Sequence, residues 1–123
     1  MKTVINNRRK IFSIQEEFSA LFPYLKLEFY AKSHTEGGPS SDKAIQHSSK
    51  TLGECRIMHE DGIITITPNM TVAELEDIFG SVYGLKVHVY RKAGNSWLET
   101  AVTNDWSLEE QNKQGETLSK EVI

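Results

Sequence analysis

The sequence predicts an α+β domain, a two-layer sandwich in which a mainly antiparallel sheet of about five strands carries helices on one face. Two observations carry that expectation. Residues 61–103 read as strand, capped helix, strand, turn, strand, with each boundary marked by its own residue chemistry, and a helix-strand unit occurs twice. The second observation rests on an ungapped match of residues 16–32 to residues 76–92, in which Leu25, Lys26, Leu27, Glu28, Phe29 and Tyr30 stand where Leu85, Lys86, Val87, His88, Val89 and Tyr90 recur. Duplication and the common grammar of short amphipathic units both account for the match.

Ser13 followed by Glu16 has the spacing of a capping box, in which side chain and backbone satisfy each other's free groups, and the helix it opens stops at Pro23. This first helix-strand unit spans residues 11–32. Asp61–Gly62 is a tight-turn dipeptide, because glycine accepts positive φ without steric cost. It separates two β-prone runs, 55–58 and 63–66, so a hairpin is expected there. Pro68 ends the second run. Thr71 and Glu74 form another capping box, with Met70 and Leu75 at hydrophobic-staple positions. Val72, Leu75, Ile78, Phe79 and Val82 recur at three- and four-residue spacing, which makes one stripe of that helix apolar and demands its burial. Gly84 follows where a left-handed C-cap is needed. Leu85, Val87 and Val89 alternate with Lys86, His88 and Tyr90, the period of a half-buried strand, and Ala93, Gly94 and Asn95 turn the chain into a last strand over 96–103. Residues 54–103 thus form a hairpin-helix-hairpin core. Ser107 with Glu110 opens a polar C-terminal helix, residues 107–120, that Gly115 is expected to end or weaken.

A chain of 123 residues builds one hydrophobic core, so a single domain over 1–123 is expected. The single cysteine, Cys55, excludes an internal disulfide framework and a cysteine-rich zinc site, which fits a reducing compartment and makes the cytoplasm the expected location. No run is apolar enough for a signal peptide or a membrane span. The formal net charge is −3, unevenly spread. Lys2, Arg8, Arg9, Lys10, Lys26 and Lys32 outnumber the acids near the N-terminus, whereas Asp105, Glu109, Glu110, Glu116 and Glu121 mark the other end. Residues 33–51, rich in Ser, Gly and Thr, break the pattern and read as a mobile polar insertion, with a short helix possible over 42–47.

Chemistry-bearing residues do not converge. The histidines, His34, His47, His59 and His88, match no metal spacing, and Cys55 with His59 makes a nucleophile-base pair only if the intervening turn folds the imidazole back. The paired acids Glu16–Glu17, Glu76–Asp77 and Glu109–Glu110 suit helix N-termini and exposed helical faces. Gly37–Gly38 and Gly94 form no phosphate-cradling pattern. No catalytic residue, metal or cofactor is therefore expected. The wet face of the two equivalent strands is more informative. With Leu25, Leu27, Phe29, Leu85, Val87 and Val89 inward, Lys26, Tyr30 and Lys32 point outward, as do Lys86, Tyr90 and Lys92. Aromatic rings flanked by lysines on a sheet can stack bases and hold phosphates. On the last strand Trp97 shares the wet face with Glu99 beside Tyr90, while Leu98 points inward and Trp106 pins the C-terminal helix.

The run Ile64-Thr65-Ile66-Thr67-Pro68-Asn69-Met70-Thr71-Val72-Ala73-Glu74-Leu75 resembles the second strand and helix start of ubiquitin-like β-grasp domains. Its continuation through Val87 to Tyr90, Trp97 to Glu99 and Asn104 to Glu110 is similar to a PB1-type module. The likeness covers residues 54–112 and implies a β-grasp-like core. The family's acidic turn motif is replaced here by Lys92-Ala93-Gly94-Asn95-Ser96. The whole chain resembles small bacterial proteins of unassigned role, which implies no activity. The first functional expectation is a non-enzymatic interaction module, protein-binding or self-associating, with Trp97, Tyr90, Tyr30, Lys26, Lys32, Lys86 and Lys92 as its contact residues. Single-stranded nucleic-acid binding through the same face is the alternative, and an enzyme of unknown type the third. No membrane contact is expected.

Overall fold

The computed structural model describes residues 1–30 and 49–120. Its elements are β1 (Lys2–Ile5), α1 (Ile11–Leu21), β2 (Leu25–Tyr30), α2 (Leu52–Cys55), β3 (Gly62–Thr65), α3 (Val72–Tyr83), β4 (Lys86–Ala93), β5 (Ser96–Glu99) and α4 (Leu108–Lys120). The α+β class holds. The five strands do not form one sheet, however: β1 and β3 pair as an antiparallel ribbon, and a separate antiparallel sheet has the order β2-β4-β5. Residues 33–48 of the polar insertion, the short helix considered over 42–47, His34, His47, the Gly37–Gly38 pair and Lys32 lie outside the described residues.

The expected hairpin across Asp61–Gly62 is replaced. Residues 52–55 are a short helix, and β3 pairs instead with β1, Val4 opposite Ile63 and Ile5 opposite Gly62. The reason lies in Arg56. Its guanidinium is fully buried and donates to Asn7 Oδ1 and to the carbonyls of Glu60 and Tyr83, so residues 56–60 are folded around it and cannot run flat against β3. Among the described residues only Gly84 and Gly94 have positive φ, so Gly62 does not supply the tight turn. It is glycine for another reason: a Cβ there would run into the Tyr83 ring.

Helix starts divide into local and tertiary cases. Thr71 Oγ1 accepts the Glu74 N–H at 3.1 Å, and Gly84, at φ 65°, closes α3 with its N–H on the Gly80 carbonyl. Ser107 Oγ accepts the Glu110 N–H at 3.1 Å in the same way. Ser13 does not cap α1, which begins two residues earlier behind Lys10 without a side-chain cap. Ile11, buried completely, donates its N–H to the Lys50 carbonyl, and Leu52 donates to Arg9, so a long-range strap sets that start. Gly115 neither ends nor breaks α4, because it lies against the Tyr24 backbone and the stem of Arg91.

Inside, Leu25, Leu27 and Phe29 of β2 and Leu85, Val87 and Val89 at β4 share one core with Ile11, Ile14 and Phe18 of α1 and Val72, Leu75 and Phe79 of α3. Phe29 meets Phe79 edge to face, centroids 5.8 Å apart. Val82 is 45% exposed, and Tyr83 takes its place on the buried stripe. α4 crosses the Tyr24 end of the sheet, where Asn112 Oδ1 accepts the Tyr24 N–H at 2.8 Å. The buried side chains of both long strands therefore meet α1, α3 and α4, and the other face of the three-stranded sheet is left without a helix among the described residues.

The repeat extends further than the helix-strand match. The shift that carries Leu25 to Leu85 also carries Lys2 to Gly62, so strand, helix and strand recur as β1-α1-β2 and β3-α3-β4. Both strand pairs formed between the halves are antiparallel, as a twofold relation requires. Glu28 and His88, equivalent positions in the two halves, lie directly opposite one another, which puts the pseudo-twofold axis through that pair.

Candidate interaction face

Antiparallel pairing rearranges the two basic-aromatic rows. Lys26 lies opposite Tyr90 and Tyr30 opposite Lys86, so each strand's lysine faces the other strand's tyrosine across the Glu28–His88 axis. Tyr30 and Tyr90, equivalent in the repeat, lean toward that axis and join hydroxyl to hydroxyl. Tyr30 also meets the His88 ring edge to face at 4.9 Å. β5 extends the face, with Trp97 opposite Lys92 and Glu99 opposite Tyr90. The Lys26 ammonium stands 5.5 Å from the Tyr90 ring centre and 4.9 Å from that of Trp97, and its nitrogen is 3.3 Å from Glu28. Trp97 is 38% exposed, as its strand alternation requires, and Leu98 is 44% exposed although it points to the other face. That exposure of Leu98 corrects its expected burial, and the reason is that β5 is the outermost strand.

Electrostatics tighten this arrangement. Burial, followed by the hydroxyl contact with Tyr90 and the nearby Glu99 and Glu28 charges, pushes the Tyr30 phenol well above its ordinary value. His88 Nδ1 lies 3.5 Å from Glu76 and 3.8 Å from Glu99, joining α3, β4 and β5 at one edge. Glu76 is more than an exposed helical acid. Its carboxylate accepts the Val89 N–H at 3.1 Å, while the Val89 carbonyl accepts from Thr100. Burial raises the Glu76 carboxyl, against the opposing pull of that N–H and of His88. Period-2 patterning could place His88 on the wet face, but nothing in the sequence brings Glu76 of a distant helix to it.

The remaining sequence candidates separate. Cys55 ends α2, and desolvation raises its thiol, which disfavours the thiolate a nucleophile needs. His59 contacts Asn7 Oδ1 at 3.1 Å, and no contact joins it to Cys55 among the described residues. Glu17 pairs with Arg9 and Thr3 in a structural bracket, and Trp106 lies over the Arg91 guanidinium at 5.6 Å, beside α4. Arg91 reaches Gln111 at 2.8 Å. Among the described residues no group of three or more His, Cys, Asp or Glu could hold a metal ion, and no helix is long and apolar enough to cross a membrane. No family model, curated protein or solved structure matches this chain.

Proposed function

We propose that this chain is a non-enzymatic interaction module whose sheet face, left without a helix among the described residues and built on Lys26, Tyr30, Lys86, Tyr90, Lys92 and Trp97, contacts a protein partner. The observation that carries this reading is the Lys26–Tyr90–Trp97 stack on a face that no helix covers among the described residues, with Trp97 more than one-third exposed. Large aromatics held in place by a neighbouring cation offer contact area at low cost in conformational entropy, the property of interface anchors. The rings favour protein over single-stranded nucleic acid, because Lys26 already lies over Tyr90 and Trp97 and the face carries Glu28 and Glu99 among its lysines. A β-grasp-like core remains part of this reading only through the strand-helix-hairpin order of β3, α3 and β4–β5, since its first hairpin is replaced and β3 pairs with β1 instead.

The test pairs capture with a salt titration. Immobilised wild-type protein in extract from its native cell should retain a protein that Trp97→Ala and Lys26→Ala both lose while remaining folded. Identical retention by all three proteins would sink the reading, and salt-sensitive binding of a labelled single-stranded oligonucleotide by the same face would replace it with the nucleic-acid one.

A further inference from the structure

We infer that two copies of this chain associate by antiparallel pairing of their β5 strands, with Leu98 on the twofold axis, to make one continuous six-stranded sheet; the inference deepens the proposed interaction role by naming a second copy as partner. The direction of the backbone groups is the starting point. Thr100 donates its N–H to the Val89 carbonyl and Lys92 donates to Tyr24, so odd-numbered residues of β4 turn their hydrogen-bonding groups toward β5 and even-numbered ones toward β2. Given the pairing of Arg91 with Leu98, the N–H and C=O groups of Trp97 and Glu99 point away from the sheet. Among the described residues nothing hydrogen-bonds to them.

An unpaired edge of this kind is a template for another strand, and proteins that avoid association guard it with lysine, proline or a covering element. β5 has neither residue within Ser96–Glu99, and all four of its residues are exposed. Both of its faces are apolar at the centre, with Trp97 on one and Leu98 on the other.

Self-complementarity selects a second copy as occupant. With Leu98 opposite its own symmetry mate, the outward groups of Trp97 meet those of the other copy's Glu99, and the same ring of bonds repeats across the axis. The two Leu98 side chains then cover one another. On the opposite face the order becomes Lys92, Trp97, then the other copy's Glu99, so an anion follows the ring on which Lys26 already stands. A four-residue edge covers less than the roughly 800 Å² per partner of a standard interface, so a weak, concentration-dependent association is expected.

Sedimentation equilibrium of the full chain should give a concentration-dependent dimer, and Leu98→Lys should weaken it by about tenfold or more while thermal unfolding at low concentration stays unchanged. In a Cys55→Ser background, Leu98→Cys should form an intermolecular disulfide rapidly, because directly opposed residues of a non-hydrogen-bonded pair are about 4.5 Å apart at Cα. Ser96→Cys should not, since two copies of position 96 would lie about 14 Å apart along the strands. A wild-type monomer at all accessible concentrations, a dimer indifferent to Leu98→Lys, or preferred cross-linking at position 96 would each overturn the pairing. If the chain proves monomeric yet loses a captured protein on Trp97→Ala, the sheet-face reading stands and only the self-pairing fails. If it is monomeric and that capture is also unaffected, both fail.

Discussion

Arg56 makes four hydrogen bonds, two to Asn7 and one each to the Glu60 and Tyr83 carbonyls, and pairs with Asp61 at 3.6 Å, all from a side chain with no solvent exposure. Truncation would leave the Tyr83 and Glu60 carbonyls and Asn7 without their donor, so Arg56→Ala is expected to cost about 2–4 kcal/mol in chemical denaturation. Lysine cannot reproduce the planar fork, and Arg56→Lys should recover little of the loss. Full stability in either variant would remove Arg56 from its role as the bolt between the 56–60 segment and the end of α3. Tyr30 provides a pH-dependent test. The fold favours its neutral phenol, so the folded protein holds this proton more tightly than the unfolded chain, where tyrosine titrates near 10. Its contribution is complete below pH 10 and is lost as pH rises beyond it. Wild-type stability should therefore fall more steeply than that of Tyr30→Phe in the alkaline range, and parallel curves would show that the fold does not hold the Tyr30 proton more tightly than the unfolded chain does.

At the scale of elements, helix grammar and packing sometimes agree and sometimes oppose one another. Thr71 and Ser107 cap their own helices and also form a bridge with each other, while Val72 and Ala73 donate to the carbonyls of Trp106 and Asn104, and Leu108 and Glu109 to those of Met70 and Pro68. Each helix start thus supplies acceptors to the other. Thr71→Ala and Ser107→Ala should each cost about 1 kcal/mol, and the double variant should depart from their sum by about 0.5 kcal/mol or more because the two sites share partners. Simple additivity would mean that the caps act alone. Gly115 is the opposing case. Helix propensity favours Gly115→Ala by about 1 kcal/mol, but the added Cβ would stand 2.9 Å from Tyr24 Cβ and 3.1 Å from Arg91 Cγ. Packing should prevail, with a net loss of about 1–3 kcal/mol by thermal or chemical denaturation. A stabilised variant would show that α4 can move off the sheet at little cost.

For the molecule as a whole, the two helix-strand halves and the ribbon contribute to one buried cluster that includes Leu75 and Phe79, each with no exposed surface. Leu75→Ala and Phe79→Ala should each cost about 2–5 kcal/mol, and unchanged thermal unfolding would refute their place in the core. Much of this was legible in advance: the α3 cap, its Gly84 terminus and the alternation of Leu25–Tyr30 and of residues 85–90 depend on neighbours within a few positions, which a sequence displays. The pairing of β3 was not, because a β-prone run specifies that a strand forms but not which edge it joins. β1 has the weaker pattern, and only the fold sets Thr3 and Ile5 inward. The start of α1 escaped for a similar reason, since Ile11 is held by Lys50, far along the chain, and not by the nearby Ser13. For the candidate interaction face, the residues that point outward were readable along the chain, because a strand's period of two decides sidedness without reference to its partners. The placement of Lys26 over Tyr90 and Trp97, the reach of Glu76 to His88 and the position of β5 at the edge came from the fold, because register, strand order and long-range side-chain contacts arise between segments that no local pattern connects.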